Sequence, residues 1–427
     1  MSKMEMMARD KKKGALVPRL RFPEFRDAGK WEMRYGNDLF DNIINKNQNF
    51  DLPILAITQE HGAIPRSTIE YNVSVTKKSI ENYKIVNIGD FIISLRSFQG
   101  GIEYSHFCGL CSPAYIILRK KVILNDVFFK FFFKSEHLIS RLNVNIEGLR
   151  DGKMITYKQF SEVLLPFPSP AEQQRIADCL TSLEERIAAE TSKLDRLKEH
   201  KKGLLKQLFP AEGETLPKLR FPEFGNSGKW QKIALGDICD IIPGYTFPEC
   251  LQGKIHGLYP FCKVSDISKA VSEHGGLLDR ALNYVGDDEL SILKAKPLPV
   301  GTTVFAKIGE ALRLNRRAIT TVECLIDNNA VGIKAKSKKS TDYFLYTLSQ
   351  LIDLSEYCGG AVPSVNKTVL ENISAVIPTS YEQQRIADCL SSLDELITAQ
   401  TQKIDLLKDH KKGLMQQLFP RIDEVLA

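Results

Sequence analysis

The sequence contains no apolar run close to the ~18 residues that a membrane-spanning helix needs, and its first residues lack the apolar core of a signal peptide. Its nine cysteines are odd in number and scattered, which is typical of reduced thiols rather than of a disulfide framework. Lys and Arg exceed Asp and Glu only by 58 to 52, a net charge of +6, which allows a nucleic-acid partner without requiring one. We therefore expect a cytoplasmic protein.

Motifs for cofactors and metals are also missing. Residues 148–154 are one residue shorter than a phosphate loop and have Met154 where Ser or Thr must bind magnesium. No glycine-rich dinucleotide turn opens a strand–helix unit. Cys108 and Cys111, with His106 nearby, form a lone pair without a second pair at suitable spacing, so a structural zinc is the less favoured alternative. We expect no catalytic residue, no metal and no cofactor bound by this chain.

A stretch of 39 residues occurs twice. Residues 172–210 read EQQRIADCLTSLEERIAAETSKLDRLKEHKKGLLKQLFP, and residues 382–420 repeat them with 28 of 39 positions identical. A second repeat supports a duplication, because PRLRFPEFRDAGKW at 18–31 returns as PKLRFPEFGNSGKW at 217–230. The segments between these repeats scarcely match each other. Two nearly identical scaffold segments therefore carry two different domains.

Both long repeats are predicted to be helices. Ser169 precedes Pro170 and Glu172, which is the order of a helix start with a Glu able to reach back to the cap. Thr379 and Glu382 have the same spacing in the second copy. Apolar residues then recur at alternating three- and four-residue steps, which predicts the narrow seam of a coiled coil. The seam contains Leu180, Leu183, Ile187, Leu194 and Leu197 in the first helix and Leu390, Leu393, Ile397, Ile404 and Leu407 in the second.

Polar residues interrupt both seams at equivalent positions, Glu190 with Gln400 and Lys201 with Lys411. Such interruptions usually fix the register of a coiled coil. Because a whole domain separates the two helices, we expect an antiparallel pair within one chain, with an approximate two-fold axis and nearly circular organisation. The alternatives are helices that pack separately on their own domains, or pairing between chains. Gly203 and Gly413 disfavour a helix by ~1 kcal/mol each, which predicts close approach of another backbone, from the partner helix or another subunit.

The segments between the repeats are predicted to be mixed α/β domains of one topology. In each, a Gly precedes a strand-like run (90–95 and 302–307), and a polar loop and a second run (114–118 and 330–333) follow. A short aromatic helix comes next, at 126–134 in the first domain and 341–351 in the second. Residues 128–133 of the first helix are expected to be core and interface rather than a base-stacking platform. The fold class is therefore α+β, with an N-terminal segment 1–30, domains at 31–168 and 230–378, helices at 169–210 and 379–420, a linker 211–229 and a tail 421–427.

The loops of the two domains differ and have the chemistry of DNA binding. Arginine can contact guanine edges or phosphates, and asparagine can pair with adenine. Glycine-bearing polar turns near 148–153 and 359–367 are suited to bringing backbone amides near phosphate. The alternatives are a solvated basic loop and a plain linker to the helix. The candidate DNA-binding residues are Arg96, Ser97, Gln99, Tyr104, Arg150, Lys153, Lys307, Arg313, Asn315, Arg316, Arg317, Ser364, Asn366 and Lys367.

This combination resembles the specificity subunit of type I restriction–modification systems over residues 18–420. The resemblance is carried by EQQRIA at 172–177 and 382–387, by both helix ends of the form HKKGLxxQLFP, and by QGG, SPAY, FAKIG and IDNNA in the domains. It implies two target recognition domains that each read one half of a bipartite, asymmetric double-stranded DNA target. The two helices would set the spacer between the halves.

The resemblance also implies partners. Two adenine-N6 methyltransferase subunits that use S-adenosylmethionine, and two motor–nuclease subunits that use ATP and magnesium, would dock on a non-catalytic chain. A specificity subunit for a fused type II methyltransferase–nuclease is the close alternative, and neighbouring genes would distinguish the two. A coiled-coil adaptor for protein partners is the alternative of a different class, and it predicts no loss of binding when the arginine loop is replaced by alanine.

Overall fold

A computed structural model of the chain describes residues 16–45, 51–69, 80–144, 155–359 and 362–420. Its contacts divide the chain into two compact units, unit one with residues 1–189 and 405–427 and unit two with residues 190–404. Each unit therefore contains one α/β domain and a segment of each long helix. None of the helices in the described ranges is long and apolar enough to cross a membrane.

The domain of unit one is built on a four-stranded antiparallel sheet. Its strands lie in the order Phe40–Ile43, Ile116–Lys120, Phe91–Ile93 and Glu103–Tyr104. Its phenylalanine-rich helix is almost fully buried against this sheet, which confirms the prediction that residues 128–133 are core. The strands are β1 (Glu32–Tyr35), β2 (Phe40–Ile43), β3 (Leu55–Thr58), β4 (Gly62–Pro65), β5 (Lys84–Val86), β6 (Phe91–Ile93), β7 (Glu103–Tyr104), β8 (Gly109–Cys111), β9 (Ile116–Lys120) and β10 (Leu164–Phe167). The helices are α1 (Gly36–Leu39), α2 (Ser97–Gly100), α3 (Asp126–Phe132), α4 (Glu136–Val144), α5 (Tyr157–Ser161) and the long α6 (Pro170–Leu208), whose second half lies in unit two.

The domain of unit two has a five-stranded sheet. Its strands lie in the order Cys239–Pro243, Ala330–Ala335, Thr303–Ala306, Ala318–Thr320 and Leu277–Leu278. The strands are β11 (Gln231–Ala234), β12 (Cys239–Pro243), β13 (Tyr259–Cys262), β14 (Leu277–Leu278), β15 (Tyr284–Val285), β16 (Thr303–Ala306), β17 (Ala318–Thr320), β18 (Leu325–Ile326), β19 (Ala330–Ala335) and β20 (Ser374–Ile377). The helices are α7 (Leu235–Ile238), α8 (Val264–Glu273), α9 (Asp287–Leu293), α10 (Glu310–Arg313), α11 (Asp342–Leu351), α12 (Lys367–Asn372) and α13 (Ser380–Leu418).

The two domains share one plan, as predicted. The order β12-β19-β16-β17 in unit two repeats the order β2-β9-β6-β7 in unit one. In both domains a short helix, α2 or α10, joins the third and fourth of these strands, and a longer helix, α3 or α11, follows the second. Among the described residues, the segment between the first and third strands differs, since unit one has the hairpin of β3 and β4 there and unit two has α8 and α9. The shared part is the framework and the loops are the variable part.

The start of each long helix corrects one prediction. The Ser169 hydroxyl accepts a hydrogen bond from the Glu172 N–H at 3.3 Å, as a helix cap does. The Glu172 carboxylate does not reach back to the cap, because the Arg21 guanidinium donates to both its oxygens at 2.7 Å. Glu382 makes the same two bonds to Arg220, at 2.7 and 2.8 Å. A bidentate charged pair is stronger than a neutral backbone bond, so the carboxylates turn toward the arginines.

The helices pair antiparallel inside each unit, which confirms the prediction made from the domain that separates them in sequence. In unit two, Leu194 and Leu197 form a cluster with Ile397 and Ile404, whereas Leu208 near the end of α6 packs with the early residues of α13. In unit one, Leu180 packs with the residues at the end of α13. The other seam residues lie along the same faces: Leu390 is buried, and Leu183, Ile187, Leu393 and Leu407 are half-buried.

The short repeat closes each unit. In unit two the Leu219 N–H donates to the Gln207 carbonyl at 2.9 Å, just after α6 ends. In unit one the Leu20 N–H donates to the Gln417 carbonyl at 3.1 Å, so the N-terminal segment meets the end of α13 in the same way. The same junction is therefore covalent in one unit and non-covalent in the other. This is the circular organisation that the repeats predicted.

Gly203 and Gly413 do not contact the partner helix. A Cβ built on either glycine meets no atom within 4 Å among the described residues, so that part of the prediction is wrong. We expect Gly203→Ala to raise the free energy of unfolding of the isolated chain by about 0.5–1 kcal/mol, because alanine is the better helix former. Urea unfolding measures this, with Gly413→Ala as the equivalent variant. A decrease in both would contradict the open space around these positions.

Candidate nucleic-acid interface

The candidate loop of unit one is the turn that follows the buried strand β6. Arg96 and Gln99 are exposed at the two ends of this turn. Neighbouring side chains hold its backbone: Gln59 donates to the Arg96 carbonyl at 3.3 Å, and Lys134 donates to the Gly100 carbonyl at 3.0 Å. The loop therefore presents a guanidinium and an amide from a fixed backbone.

Two residues predicted to contact DNA in unit one, Ser97 and Tyr104, are not exposed as Arg96 and Gln99 are. Ser97 is 1% exposed and its hydroxyl accepts from the Ser94 N–H at 2.8 Å, so it shapes the turn and the predicted DNA contact is wrong. Tyr104 is half-buried, with its ring 5.3 Å from Phe91 and 4.7 Å from His106. Burial, and then the Asp126 charge, raise the pKa of Tyr104.

Tyr104 lines a groove apart from the Arg96 and Gln99 side chains. The groove has a volume of about 920 Å³ and lies between the domain of unit one and the two helix segments of the same unit. Ile187 from α6 and Met415 from α13 line its other wall. The predicted DNA contact of Tyr104 stays a prediction, and its position places it apart from the loop that presents Arg96. Arg150 and Lys153 lie outside the described residues.

In unit two the structure joins two candidate loops that are about 55 residues apart in sequence. The Val365 N–H donates to the Lys307 carbonyl at 2.9 Å, and the Gly309 N–H donates to the Pro363 carbonyl at 2.8 Å. As a result, Lys307, Ser364, Asn366 and Lys367 line one groove of about 250 Å³. The Asn366 side-chain oxygen accepts from the Val369 N–H at 2.9 Å and so caps α12. Two cations and two polar side chains are thus held together on a defined backbone.

The arginine loop of unit two is only partly available to a ligand. Arg313 is exposed, with its guanidinium 3.3 Å from Glu310, and Arg316 is half-buried. Arg317 is 4% exposed, lies 4.4 Å from the Phe305 ring centre and donates to the Ile352 carbonyl at 3.2 Å. Burial lowers the pKa of Arg317 to about 10. The predicted DNA contact of Arg317 is therefore wrong, and the side chain belongs to the core.

Asn315 has a structural role in the turn after α10. Its φ of +50° lies in the left-handed region, which Asn tolerates better than most residues. Its side-chain oxygen accepts from Arg317 at 2.8 Å and from the Leu354 N–H at 3.3 Å. The turn after α2 in unit one is made by Gly101, whose φ is +83°. Asn315 thus reverses the chain after α10, and its predicted contact with adenine stays a prediction.

Sequence reasoning missed two exposed apolar residues beside the unit-two groove. Ile308 is 38% exposed and Val362 is 59% exposed. Ile308 forms a β-bridge with Ser364, which fixes its backbone next to the cations. The available signal was a β-branched apolar residue directly followed by Gly309 or by Pro363, where a turn can expose it. Branched apolar side chains in such a place can contact the methyl group of thymine.

All nine cysteines are free thiols, with Cys108 exposed and Cys111 buried. Burial raises the pKa of the Cys111 thiol to about 12. Within the described ranges, no three His, Cys, Asp or Glu side chains come together as metal ligands would.

Comparison with known proteins gives one family. The family model for the type I restriction modification DNA specificity domain matches residues 29–199 and 227–409. The chain is similar to the putative type I restriction enzyme MjaX specificity subunit of Methanocaldococcus jannaschii, at 24% identity over 91% of this chain and 92% of the relative. The MjaVIII specificity subunit of the same organism is 23% identical over 94% of this chain and 93% of the relative.

Two solved structures have a similar fold. One comes from work on complex assembly and conformational transition of the type I R-M system, with a TM-score of 0.56, 17% identity and coverage of 91% of this chain and 97% of that chain. The other is the type I restriction–modification system S subunit from M. genitalium, with a TM-score of 0.55, 14% identity and coverage of 95% and 99%.

Proposed function

Because this chain belongs to the type I restriction modification DNA specificity domain family, we propose that it is the DNA-reading subunit of a type I restriction–modification complex. Each α/β domain reads one half of a bipartite target, and the paired helices set the number of base pairs between the halves. The observation that carries the proposal is one sheet order present twice with unlike loops. Unlike loops on one framework are suited to unlike base sequences, so the target is asymmetric.

The exposed loop residues supply the two kinds of contact that sequence-specific binding needs. Lys307 and Lys367 can neutralise phosphates, which positions the protein and makes affinity fall as salt concentration rises. Arg96 and Gln99 have the guanidinium and amide groups that pair with guanine and adenine edges in the major groove. Ile308 adds an apolar surface for a thymine methyl group. Both domains hold these side chains on backbones fixed by hydrogen bonds, which favours selective reading.

The partner subunits supply the chemistry in this proposal. Two adenine-N6 methyltransferase subunits bind S-adenosylmethionine, and two motor–nuclease subunits bind ATP and magnesium. This chain binds double-stranded DNA and contributes no catalytic residue. The duplicated helices support two copies of each partner, because a repeated surface offers the same docking position twice.

Mapping methylated adenines across the genome, with and without this gene, tests the proposed function. We expect one asymmetric bipartite motif to lose its methylation when the gene is deleted. The purified chain should bind a duplex that contains this motif and transfer no methyl group to it. An unchanged methylation pattern, or methyl transfer by the chain alone, would overturn the proposal.

A further inference from the structure

The lysines that interrupt the two helix seams make the same bond once in each unit. In unit one, the Lys411 ammonium donates to Glu184 at 2.5 Å. In unit two, the Lys201 ammonium donates to both oxygens of Asp394, at 2.6 and 2.7 Å. Lys201 and Lys411 are equivalent in the repeats, and so are Glu184 and Asp394. Each interruption therefore pairs with an acid on the other helix, instead of leaving a charge unpaired in an apolar seam.

Each of these acids is also bound by the α/β domain of its own unit. Lys130 of α3 donates to the second oxygen of Glu184 at 2.8 Å. The Tyr343 hydroxyl of α11 donates to Asp394. Helices α3 and α11 are equivalent in the common plan, so both domains use the same element to reach the same scaffold position. We name Lys130, Glu184 and Lys411 the first anchor, and Tyr343, Asp394 and Lys201 the second anchor.

The surroundings of both anchors favour strong, directional bonds. In the first anchor the ammonium groups of Lys130 and Lys411 each lie 5.2 Å from the centre of the Phe131 ring. Burial alone would raise the pKa of Glu184, but the hydrogen bonds from both lysines outweigh it and hold that pKa below its ordinary value. In the second anchor, burial and then the Asp394 charge raise the pKa of Tyr343.

The anchors differ from the rest of the domain–helix contact because each joins the domain to both long helices at one carboxylate. Other polar contacts, such as Asn125 with Gln173 and Gln383 with the Lys339 carbonyl, join the domain to one helix. Most of the remaining contact consists of apolar side chains in the main core of each unit, and apolar contact has no preferred direction. A hydrogen bond weakens steeply as its angle departs from linear. The anchor is thus the part of the contact best able to fix the rotation of a domain on the helix pair.

We propose that Glu184 and Asp394 are positioning residues that set the orientation of each reading domain and thereby the spacer length the protein accepts. This inference rests on the proposed function and deepens it. Adding one base pair to a spacer moves one half-site by about 3.4 Å and rotates it by about 35° about the DNA axis. A domain that can turn on its helices tolerates such a change, whereas a domain locked by its anchor does not. Spacer selectivity therefore depends on residues that touch no DNA.

Tyr343→Phe tests the second anchor, because it removes only the hydroxyl and leaves the Lys201–Asp394 bond in place. The full-length chain is used, with duplexes carrying the target selected from a random DNA pool by the unaltered chain. Affinity is measured for the selected spacer and for spacers one base pair shorter and longer. We expect the ratio between selected and altered spacers to fall by about fivefold, the effect of losing one directional hydrogen bond. The base preferences within each half-site should stay the same.

Matched variants make the result specific. Ser349→Ala removes a buried hydroxyl from the same helix, one that donates to the Tyr346 carbonyl at 2.7 Å and not to an anchor residue, so it should leave the spacer ratio unchanged. Lys130→Met should relax the ratio as Tyr343→Phe does. Asp394→Glu should retain most of the selectivity lost in Asp394→Ala, since Glu occupies the equivalent position in unit one.

The outcomes separate this inference from the proposed function. If Tyr343→Phe weakens binding to all spacers equally, or only lowers the melting temperature, the anchor contributes stability alone and the inference is wrong. If the unaltered chain selects no bipartite DNA at all, the proposed function fails first. A spacer ratio that relaxes in Tyr343→Phe and Lys130→Met, but not in Ser349→Ala, supports the inference.

Discussion

Replacing Arg220 with methionine is expected to lower the free energy of unfolding by about 3–5 kcal/mol, because it leaves a buried carboxylate without its cation. The Glu382 side chain is 1% exposed and that of Arg220 12%. The Trp230 indole N–H also donates to Glu382, at 3.3 Å, and cannot replace a charge. Thermal and urea unfolding measure the change.

Arg385→Met is the matched control for this prediction. Arg385 lies on α13, three residues after Glu382, and contacts an acid, Glu223, at 3.1 Å, but these two side chains are 50% and 42% exposed. An exposed ion pair contributes only about 0–1 kcal/mol. In the double variant Arg220→Met with Glu382→Leu, much of the lost stability should return, since no buried charge then stays unpaired. Equal effects of Arg220→Met and Arg385→Met would contradict the importance of burial.

The second large effect is expected for DNA binding. Replacing Lys307 and Lys367 together with alanine should reduce affinity for the target about 10- to 100-fold at 0.1 M salt, because two phosphate contacts are lost. The slope of log affinity against log salt concentration should become shallower by about 1.8, that is 0.9 for each contact. Fluorescence anisotropy over a range of salt concentrations measures both quantities.

Two controls accompany this experiment. Lys338→Ala removes an exposed lysine that does not line the unit-two groove, so affinity and salt slope should hardly change. Arg317→Gln should lower stability, because the guanidinium is buried against Phe305. A double lysine variant with an unchanged salt slope would show that these lysines do not contact phosphate.

The electrostatics of Glu184 carry a pH dependence in a known direction. A carboxyl whose pKa is lower in the folded than in the unfolded chain stabilises the fold above its unfolded pKa, and this contribution is lost as the pH falls through the folded pKa. Lys130 and Lys411 hold the pKa of Glu184 down. Acidification therefore weakens the first anchor before it affects neutral bonds.

The framework could be read from the sequence because its signals are local. Helix seams repeat every three or four residues and strands alternate every two, so bounds and burial follow from neighbours in the chain. The predicted strands at 90–95 and 302–307 contain β6 and β16, and the predicted helix at 341–351 contains α11 with Thr341 as its cap. Because the chain is duplicated, a helix or strand predicted in one copy was also expected at the equivalent position of the other copy.

The sequence pattern did not predict which individual polar side chains are buried and which are exposed. Arg313, Arg316 and Arg317 look alike in sequence, yet Arg317 alone lies in the core, because the chain reverses at Asn315. Ser97 is buried although its neighbour Arg96 is exposed, because the turn after β6 places the Ser97 hydroxyl against the Ser94 N–H.

By itself the sequence determined that two copies of one scaffold carry two different α/β domains, because repetition and periodicity are properties of the chain alone. Only the tertiary structure decided which charges meet across long separations. Arg21 lies 151 residues from Glu172, and Lys411 lies 227 residues from Glu184. Pairing at such distances depends on how α6 and α13 align and on which face each domain covers. That is decided by packing of the whole unit, which no window of neighbouring residues contains.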